Sequence, residues 1–152
     1  MNLDEKIINA LKDLDYKEAT EIQKKAIPIA LKKRDILAAA QSGTGKTAAF
    51  LLPILTEILA NKQPNKPILR ALILVPTREL ATQISKAVDD FSKYMEVESL
   101  AMVGGVSTKD QEKKIAKGLD ILVATSGRLM EHLKNGTVDL SSVTTVVIDE
   151  VD

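Results

Sequence analysis

Apolar and polar residues follow two alternating patterns along this chain. In one, apolar residues recur every three or four positions, as Leu3, Ile7, Leu11 and Leu14 do, which is typical of an amphipathic helix. In the other, a short run is wholly apolar, as in 71–75, which is typical of a strand covered on both faces of a parallel sheet. Helices are predicted over 4–14, 20–34, 48–60, 78–94, 109–117 and 128–134. Strands are predicted over 35–39, 71–75, 97–103, 121–124 and 143–148.

The order of these elements predicts an α/β fold. Strands that alternate with helices form a parallel sheet with helices on both faces. We expect residues 35–152 to form this unit and residues 1–34 to add a helical extension packed on it. A chain of 152 residues that is 45% hydrophobic and 28% charged has the composition of one globular domain.

Composition excludes several kinds of site. The chain has no cysteine, which excludes disulfides, thiolate zinc sites and a cysteine nucleophile within it. His132 is its only histidine, so a site built from several histidines is excluded, and we expect His132 on the surface of the last helix. The formal net charge is zero, so any nucleic-acid binding has to come from a local patch. No signal-peptide pattern and no apolar run of bilayer length is present, which predicts a cytoplasmic protein without a membrane segment.

A glycine-rich turn between a predicted strand and a predicted helix carries the clearest chemistry. Its sequence, Ala40 to Thr47, ends in Gly-Lys-Thr and has the form of a phosphate-binding P-loop. Gly43 and Gly45 let the backbone curl so that several N–H groups converge on phosphates, and the helix directs its positive dipole end at them. Lys46 can reach the β and γ phosphates, and the Thr47 hydroxyl can bind Mg²⁺. The predicted phosphate-binding residues are Ser42, Gly43, Thr44, Gly45, Lys46 and Thr47.

Two carboxylates follow the last predicted strand. Asp149 and Glu150 come directly after the apolar run 143–148. Carboxylates at the carboxyl edge of a parallel sheet lie over the crevice where ligands bind. We expect Asp149 to hold Mg²⁺ and Glu150 to accept the proton of a water molecule that attacks the γ phosphate.

Six short motifs follow one another along the chain. They are Tyr16 with Ala19-Thr20-Glu21-Ile22-Gln23, Ala40 to Thr47, Pro76-Thr77-Arg78-Glu79-Leu80-Ala81, Gly104-Gly105, Thr125-Ser126-Gly127-Arg128 and Asp149-Glu150-Val151-Asp152. In content and order they resemble the motifs of the DEAD-box ATP-dependent RNA helicases, over nearly the whole chain. The chain departs from the family pattern at Ala19 and Ser126, which replace prolines, and at Val151, which replaces alanine.

The resemblance implies a RecA-like ATP-binding domain. Gln23 would read adenine, because its amide offers an acceptor and a donor to match the base, and Tyr16 would stack on the ring. Lys46, Asp149 and Glu150 would be the catalytic residues of ATP hydrolysis, and Thr47 with Asp149 would bind the Mg²⁺.

The resemblance also implies an RNA site made of loops at the sheet edge. In the family these loops bind the backbone of single-stranded RNA without reading bases. The residues at the matching positions are Pro76, Thr77, Arg78, Gly104, Gly105, Thr125, Gly127 and Arg128.

The family's pattern extends beyond these motifs. Its first domain contains a further strand between the P-loop strand and the 143–148 strand, and a second RecA-like domain completes the RNA cleft. We therefore expect this chain to be an incomplete RecA-like domain that alone binds nucleotide poorly, does not unwind RNA and is marginally stable.

Two other functions fit part of the pattern. A P-loop kinase or metabolic ATPase would use the same nucleotide site, but it leaves the loops at Arg78, Gly104-Gly105 and Arg128 without a role. A module that clamps RNA without turnover would use those loops, but Lys46 and Glu150 favour hydrolysis.

Overall fold

The computed structural model describes residues 3–41, 43–61 and 67–150. Within them, helices and strands alternate from β1 onward, as the apolar pattern predicts. The helices are α1 Glu5–Asp13, α2 Glu21–Leu31, α3 Lys46–Ala60, α4 Arg78–Phe91, α5 Thr108–Lys117 and α6 Ser126–Lys134. The strands are β1 Ala71–Val75, β2 Ser99–Met102, β3 Ile121–Thr125 and β4 Thr145–Ile148. None of the helices in these residues has the length and apolar character needed to cross a lipid bilayer.

The chain folds into two compact units. The helical unit comprises residues 1–61 and 87–96, and the sheet unit comprises residues 62–86 and 97–152. The division predicted from the sequence, with a boundary at residue 34, stays a prediction.

In the helical unit, α1 and α2 pack against α3. The α1 helix begins after Asp4, whose Oδ1 accepts a hydrogen bond from the Lys6 backbone N–H at 2.8 Å, and it buries Ile7. The α3 helix is largely apolar, and Leu51 and Leu55 are fully buried. Removing such side chains from water contributes about 1.5–3 kcal/mol each, so α3 is the core of this unit.

An ionic cluster on the surface of the helical unit joins the end of α1 to residues 93 and 94. Lys93 Nζ lies 2.8 Å from Asp13 Oδ2, and the Tyr94 hydroxyl donates to the same oxygen. The hydrogen bond from Lys93, and after it the one from Tyr94, lowers the pKa of Asp13. The hydrogen bond to Asp13 in turn raises the pKa of Lys93 and that of Tyr94.

In the sheet unit, the four strands form a parallel sheet in the order β2-β3-β1-β4. The predicted α/β fold with a parallel sheet is therefore confirmed. The two central strands are almost wholly buried, with Ile73 and Val123 both at 0% exposure. Helix α6 packs on β3 and helix α5 on β2. A core cluster on this sheet includes Leu72, Leu122 and Leu129.

The prediction of a strand over 35–39 is wrong. Residues 35–39 have no regular secondary structure and all are exposed, with Leu37 98% accessible to solvent. A strand forms only where a neighbouring strand satisfies its backbone N–H and C=O groups, and no strand of the described residues pairs with this segment. Apolar composition alone could not reveal that. Within the described residues β4 is an edge strand paired with β1, and Val146 and Ile148 are more than half exposed.

The expectation that His132 lies on the surface is also wrong. Its side chain is 0% exposed, and both ring nitrogens have hydrogen-bond partners. His132 is three residues after Leu129 on α6, so the two share the buried face of the helix. A polar residue at a core position is stable when its hydrogen bonds are satisfied, and its partners Gln111 and Thr137 come from outside the helix.

Candidate nucleotide and nucleic-acid site

The P-loop glycines of the helical unit have left-handed backbones. Gly43 has φ +80° and Gly45 has φ +86°, a region that residues with a Cβ rarely adopt. A Cβ on Gly45 would also lie 2.4 Å from Gln23 Nε2 and 2.8 Å from Thr20 Oγ1. Gly43 has open space on that side. Gly45 is therefore required both by its backbone and by its neighbours, and Gly43 by its backbone alone.

Helix α3 begins at Lys46, two residues before the predicted start, with Gly45 at its N-cap. The N–H groups of a first helical turn have no partner within the helix and carry the positive end of its dipole, which suits an anion. Lys46 and Thr47 lie in this turn and are half-buried. The Thr44 hydroxyl donates to the Gln41 carbonyl at 2.6 Å and so shapes the loop. Ser42 lies outside the described residues.

Gln23 is held against the P-loop. It is 3% exposed, its Oε1 accepts from the Thr20 backbone N–H at 3.0 Å, and its Nε2 donates to the Gly45 carbonyl at 3.1 Å. One amide hydrogen and one oxygen lone pair remain for another partner. The amide therefore fixes the last turn of the loop and keeps the atoms that the predicted adenine contact needs.

Tyr16 and Gln23 both line an open cavity of about 600 Å³ in the helical unit. The Tyr16 ring is 44% exposed and packs against Phe91, with ring centroids 5.8 Å apart and planes at 58°. Leu11 and Leu52 add apolar walls. The cavity therefore combines an aromatic ring, an amide and apolar walls. Stacking of Tyr16 on adenine stays a prediction.

In the sheet unit, the parallel register brings four strand ends to one edge. Val75 at the end of β1 is paired with Thr125 at the end of β3, and Met102 at the end of β2 is paired with Ala124. Pro76 and Thr77 follow β1 at this edge. Both are exposed, and the Thr77 hydroxyl accepts from the Leu80 backbone N–H at 3.2 Å, at the start of α4.

Two arginines converge on the Gly104-Gly105 turn at this edge. Gly105 has φ +82°, and a Cβ placed there would lie 2.6 Å from Arg78 Nη1. A Cβ on Gly104 would lie 4.0 Å from Arg128 Nη2. Arg128 is oriented by Glu131, one turn along α6, at 3.4 Å from Nε. Two guanidinium groups beside exposed glycine backbone make a surface suited to a phosphate. Gly127, in the first turn of α6, has open space around it.

The predicted acidic pair lies at the same edge. The Asp149 backbone N–H donates to the Leu74 carbonyl at 3.0 Å, which places Asp149 directly beyond β4, and its side chain is 6% exposed. Glu150 is exposed and left-handed, with φ +54°. In the described part of the chain no group of three or more His, Cys, Asp or Glu could hold a metal ion. Mg²⁺ does not need one, because it binds through one or two protein oxygens together with substrate phosphates and water. The binding of Mg²⁺ by Asp149 and by Thr47 stays a prediction.

The sequence did not reveal a buried polar link behind the Gly104-Gly105 turn. Gln111 on α5 is 1% exposed, and its Nε2 donates to the Val103 carbonyl at 3.0 Å. Its Oε1 lies 2.9 Å from His132 Nε2. Gln111 lies 8 positions from Val103 and 21 positions from His132 in the chain. Local periodicity therefore gives no signal for either contact.

Comparison with known proteins agrees with the motifs. A model of the DEAD/DEAH box helicases matches residues 20–152. This chain belongs to that family. It is 46% identical over 147 residues to the ATP-dependent RNA helicase DeaD of Escherichia coli K12, covering 96% of the chain and 23% of the relative. It is 42% identical to the human probable ATP-dependent RNA helicase DDX27, covering 100% of the chain and 20% of the relative.

A solved structure gives the same result for the fold. The hypothetical ATP-dependent RNA helicase from Sulfolobus tokodaii superimposes with a TM-score of 0.88 and 37% sequence identity, covering 100% of this chain and 42% of that one. The DEAD-box chain thus spans about a fifth to a quarter of the length of DeaD and DDX27.

Proposed function

We propose that this DEAD-box chain is the ATP-binding and RNA-backbone-binding part of an ATP-dependent RNA helicase. The observation that carries the proposal is the convergence of Arg78 and Arg128 on the Gly104-Gly105 turn. A nucleotide site alone needs no such surface. Two guanidinium groups and glycine backbone at one sheet edge are suited to successive phosphates of a nucleic-acid strand. Such contacts ignore base identity, as a helicase that acts on many sequences requires.

The nucleotide in this proposal is ATP. Gly43, Gly45 and the first turn of α3 hold the phosphates through backbone N–H groups, and Lys46 adds a positive charge to the β and γ phosphates. Gln23 reads adenine with the amide atoms that Thr20 and Gly45 leave available. Thr47 and Asp149 are the residues that would offer oxygen ligands to Mg²⁺, which would neutralise phosphate charge.

Glu150 is the general base in this scheme. It accepts a proton from the water that attacks the γ phosphate, and Lys46 stabilises the charge on the phosphate oxygens. Glu150 is exposed at the carboxyl edge of the sheet, so its carboxylate is accessible to solvent water. A second RecA-like domain of the same protein is proposed to complete the RNA cleft, so that ATP binding closes the two domains on the RNA.

A small-molecule kinase remains the second candidate. It would use the same P-loop, and Gln23 would serve it equally well. The kinase function gives no role to the two arginines at Gly104-Gly105, and RNA would not change the rate at which a kinase consumes ATP.

The test is RNA binding by the full-length protein as a function of salt. The variants are Arg78→Ala and Arg128→Ala, with Lys134→Ala as the matched control. Lys134 lies on the same helix as Arg128, about 9 Å along its axis at 1.5 Å per residue. We measure the dissociation constant of a labelled single-stranded RNA by fluorescence anisotropy at several salt concentrations.

Each arginine variant should weaken RNA binding about tenfold or more, because a hydrogen bond to a charged group is lost. Its plot of log affinity against log salt should become shallower by about 0.7, the contribution of one contact to a single-stranded phosphate. Lys134→Ala should change the slope less. Equal slopes for all three variants and the wild type would reject the assignment of Arg78 and Arg128 to RNA phosphate binding.

A further inference from the structure

Three buried or half-buried polar side chains form a continuous chain of hydrogen bonds behind the Gly104-Gly105 turn. Thr137 Oγ1 lies 2.7 Å from His132 Nδ1, and His132 Nε2 lies 2.9 Å from Gln111 Oε1. Gln111 Nε2 lies 3.0 Å from the Val103 carbonyl oxygen. Gln111 and His132 have exposures of 1% and 0%. In the described residues, no buried side-chain nitrogen or oxygen lacks a partner.

Elementary chemistry fixes the direction of the two hydrogen bonds that Gln111 makes. The Val103 carbonyl can only accept, so the Gln111 nitrogen faces it and the Gln111 oxygen faces the imidazole. An amide oxygen can only accept, so His132 Nε2 carries the hydrogen of that bond. The Thr137 hydroxyl donates to the His132 carbonyl oxygen at 3.1 Å, and its oxygen lies 2.7 Å from Nδ1 on the other side of the ring. The imidazole is thus held from both sides, through Nε2 by Gln111 and through Nδ1 by Thr137.

The chain of hydrogen bonds ends where β2 ends. The last residue of β2 is Met102, so the Val103 carbonyl lies outside that strand. The Gln111 amide binds this carbonyl and so fixes the peptide that leads into Gly104. A glycine pair with one left-handed residue has more accessible conformations than other dipeptides. An anchor directly before it restricts where the turn can lie.

The same hydrogen bonds fix helix α6. Arg128 and His132 are four residues apart, so they lie on one face of α6, one turn from each other. Arg128 reaches the Gly104 side of the turn, while His132 is joined through Gln111 to the peptide before it. The turn and the guanidinium group are thereby held in one relative position.

We propose that Gln111 and His132 are positioning residues for RNA binding: they hold the Gly104-Gly105 turn and α6 in the arrangement that binds a phosphate. The inference rests on the proposed function, since it assigns a role to residues behind the proposed RNA surface. Neither residue touches RNA in this scheme. Both act through the Val103 peptide and through Arg128.

Two variants at one position separate this role from general core stability. In His132→Gln, the amide nitrogen takes the place of Nε2 and can still donate to Gln111. In His132→Asn, the shorter amide takes the place of Nδ1 and can bind Thr137, but it does not reach Gln111. Both variants keep a polar amide in the core. Ser92→Ala is the control for loss of a buried hydrogen bond elsewhere, because Ser92 is 7% exposed and donates to the Val88 carbonyl at 2.6 Å.

The measurement is the RNA-stimulated ATPase of the full-length protein, with a titration of RNA and a separate titration of ATP. His132→Asn should raise the RNA concentration for half-maximal stimulation about three- to tenfold, the change that one lost hydrogen bond typically produces. It should leave the KM for ATP within about twofold. His132→Gln and Ser92→Ala should stay within about twofold of wild type on both titrations.

Hydrogen exchange supplies a readout that does not depend on ATPase activity. In His132→Asn, amides of the peptide that spans 101–107 should exchange faster, while those of β1 and β3 should not change. Uniformly faster exchange across the sheet unit would assign His132 to core stability and overturn the proposal. An unchanged RNA titration in folded His132→Asn would overturn it as well, as would equal effects of the Asn and Gln variants.

The Arg128→Ala variant separates failure of this inference from failure of the proposed function. If Arg128→Ala weakens RNA stimulation and His132→Asn does not, the positioning role alone is wrong. If neither has an effect, the proposed RNA surface is wrong and the inference is rejected with it.

Discussion

Replacing Gly45 by alanine tests how tightly the P-loop is fitted to Gln23. The new Cβ would lie 2.4 Å from Gln23 Nε2, and it would lie on a backbone with φ +86°. Ordinary contacts of a Cβ begin at 3.4 Å, so the Gln23 amide would have to retreat by 1.0 Å, the difference of the two distances. That displacement breaks its hydrogen bond to the Gly45 carbonyl, now 3.1 Å long.

Gly43→Ala is the matched control. Gly43 has φ +80°, but nothing lies within 4 Å of the position its Cβ would take. Each substitution costs about 1 kcal/mol for a left-handed alanine. Gly45→Ala should cost a further 0.5–1.5 kcal/mol or so for the lost hydrogen bond, and more for crowding against Thr20. We therefore expect about 1 kcal/mol for Gly43→Ala and about 2–3 kcal/mol for Gly45→Ala.

Two assays measure this difference. Urea denaturation gives the free energy of unfolding of each variant, and titration with a fluorescent ATP analogue gives nucleotide affinity. Gly45→Ala should also weaken nucleotide binding more than Gly43→Ala, because it moves the predicted adenine-reading amide. Adding Gln23→Ala should remove the part of the extra cost that comes from Gln23 and leave the part that comes from Thr20. Equal free energies of unfolding for Gly43→Ala and Gly45→Ala would refute the reasoning.

Two further predictions concern the ionic cluster and the Gly104-Gly105 turn. The hydrogen bonds from Lys93 first and from Tyr94 second lower the pKa of Asp13 in the folded protein. The ionised Asp13 therefore stabilises the fold above about pH 4, the pKa of an aspartate in the unfolded chain. This stabilisation is lost as the pH falls through the lower pKa of the folded state. Urea denaturation at several pH values should show this acid-side loss in wild type and a smaller one in Asp13→Asn; identical profiles would contradict it. Gly105→Ala should weaken RNA binding severalfold, because its Cβ would lie 2.6 Å from Arg78 Nη1 and would displace that guanidinium group. Gly136→Ala, which shares a positive φ of +70° but has no neighbour within 4 Å, should leave RNA binding unchanged in the same anisotropy titration.

Much of the fold follows from the sequence because its signals are local. The apolar run 71–75 coincides with β1. In the glycine doublet at 104–105, Gly105 has the left-handed backbone conformation that glycine adopts easily. Helix α5 begins at Thr108 with Ser107 as its N-cap, one residue before the predicted start at 109. Neighbouring small polar residues can each serve as a cap, so the sequence does not choose between them.

The remaining features depend on partners distant in the chain. Residues 35–39 have the composition of a strand, but a strand also needs a neighbour, and composition does not supply one. The expectation that His132 lies on the surface of the last helix fails because the Gln111 amide, 21 residues away, satisfies its ring in the core. The convergence of Arg78 and Arg128 on one turn likewise depends on the strand order, which local patterns do not fix.

The most direct test of the central claim is ATP hydrolysis by the full-length protein under three conditions. The rate is measured without nucleic acid, with single-stranded RNA and with DNA of the same sequence, for the wild type and for Glu150→Gln. We predict strong stimulation by RNA alone and a loss of about a hundredfold or more in Glu150→Gln, the contribution typical of a general base. Equal rates in the three conditions would contradict this claim, because ATP hydrolysis at the P-loop would then not be coupled to RNA.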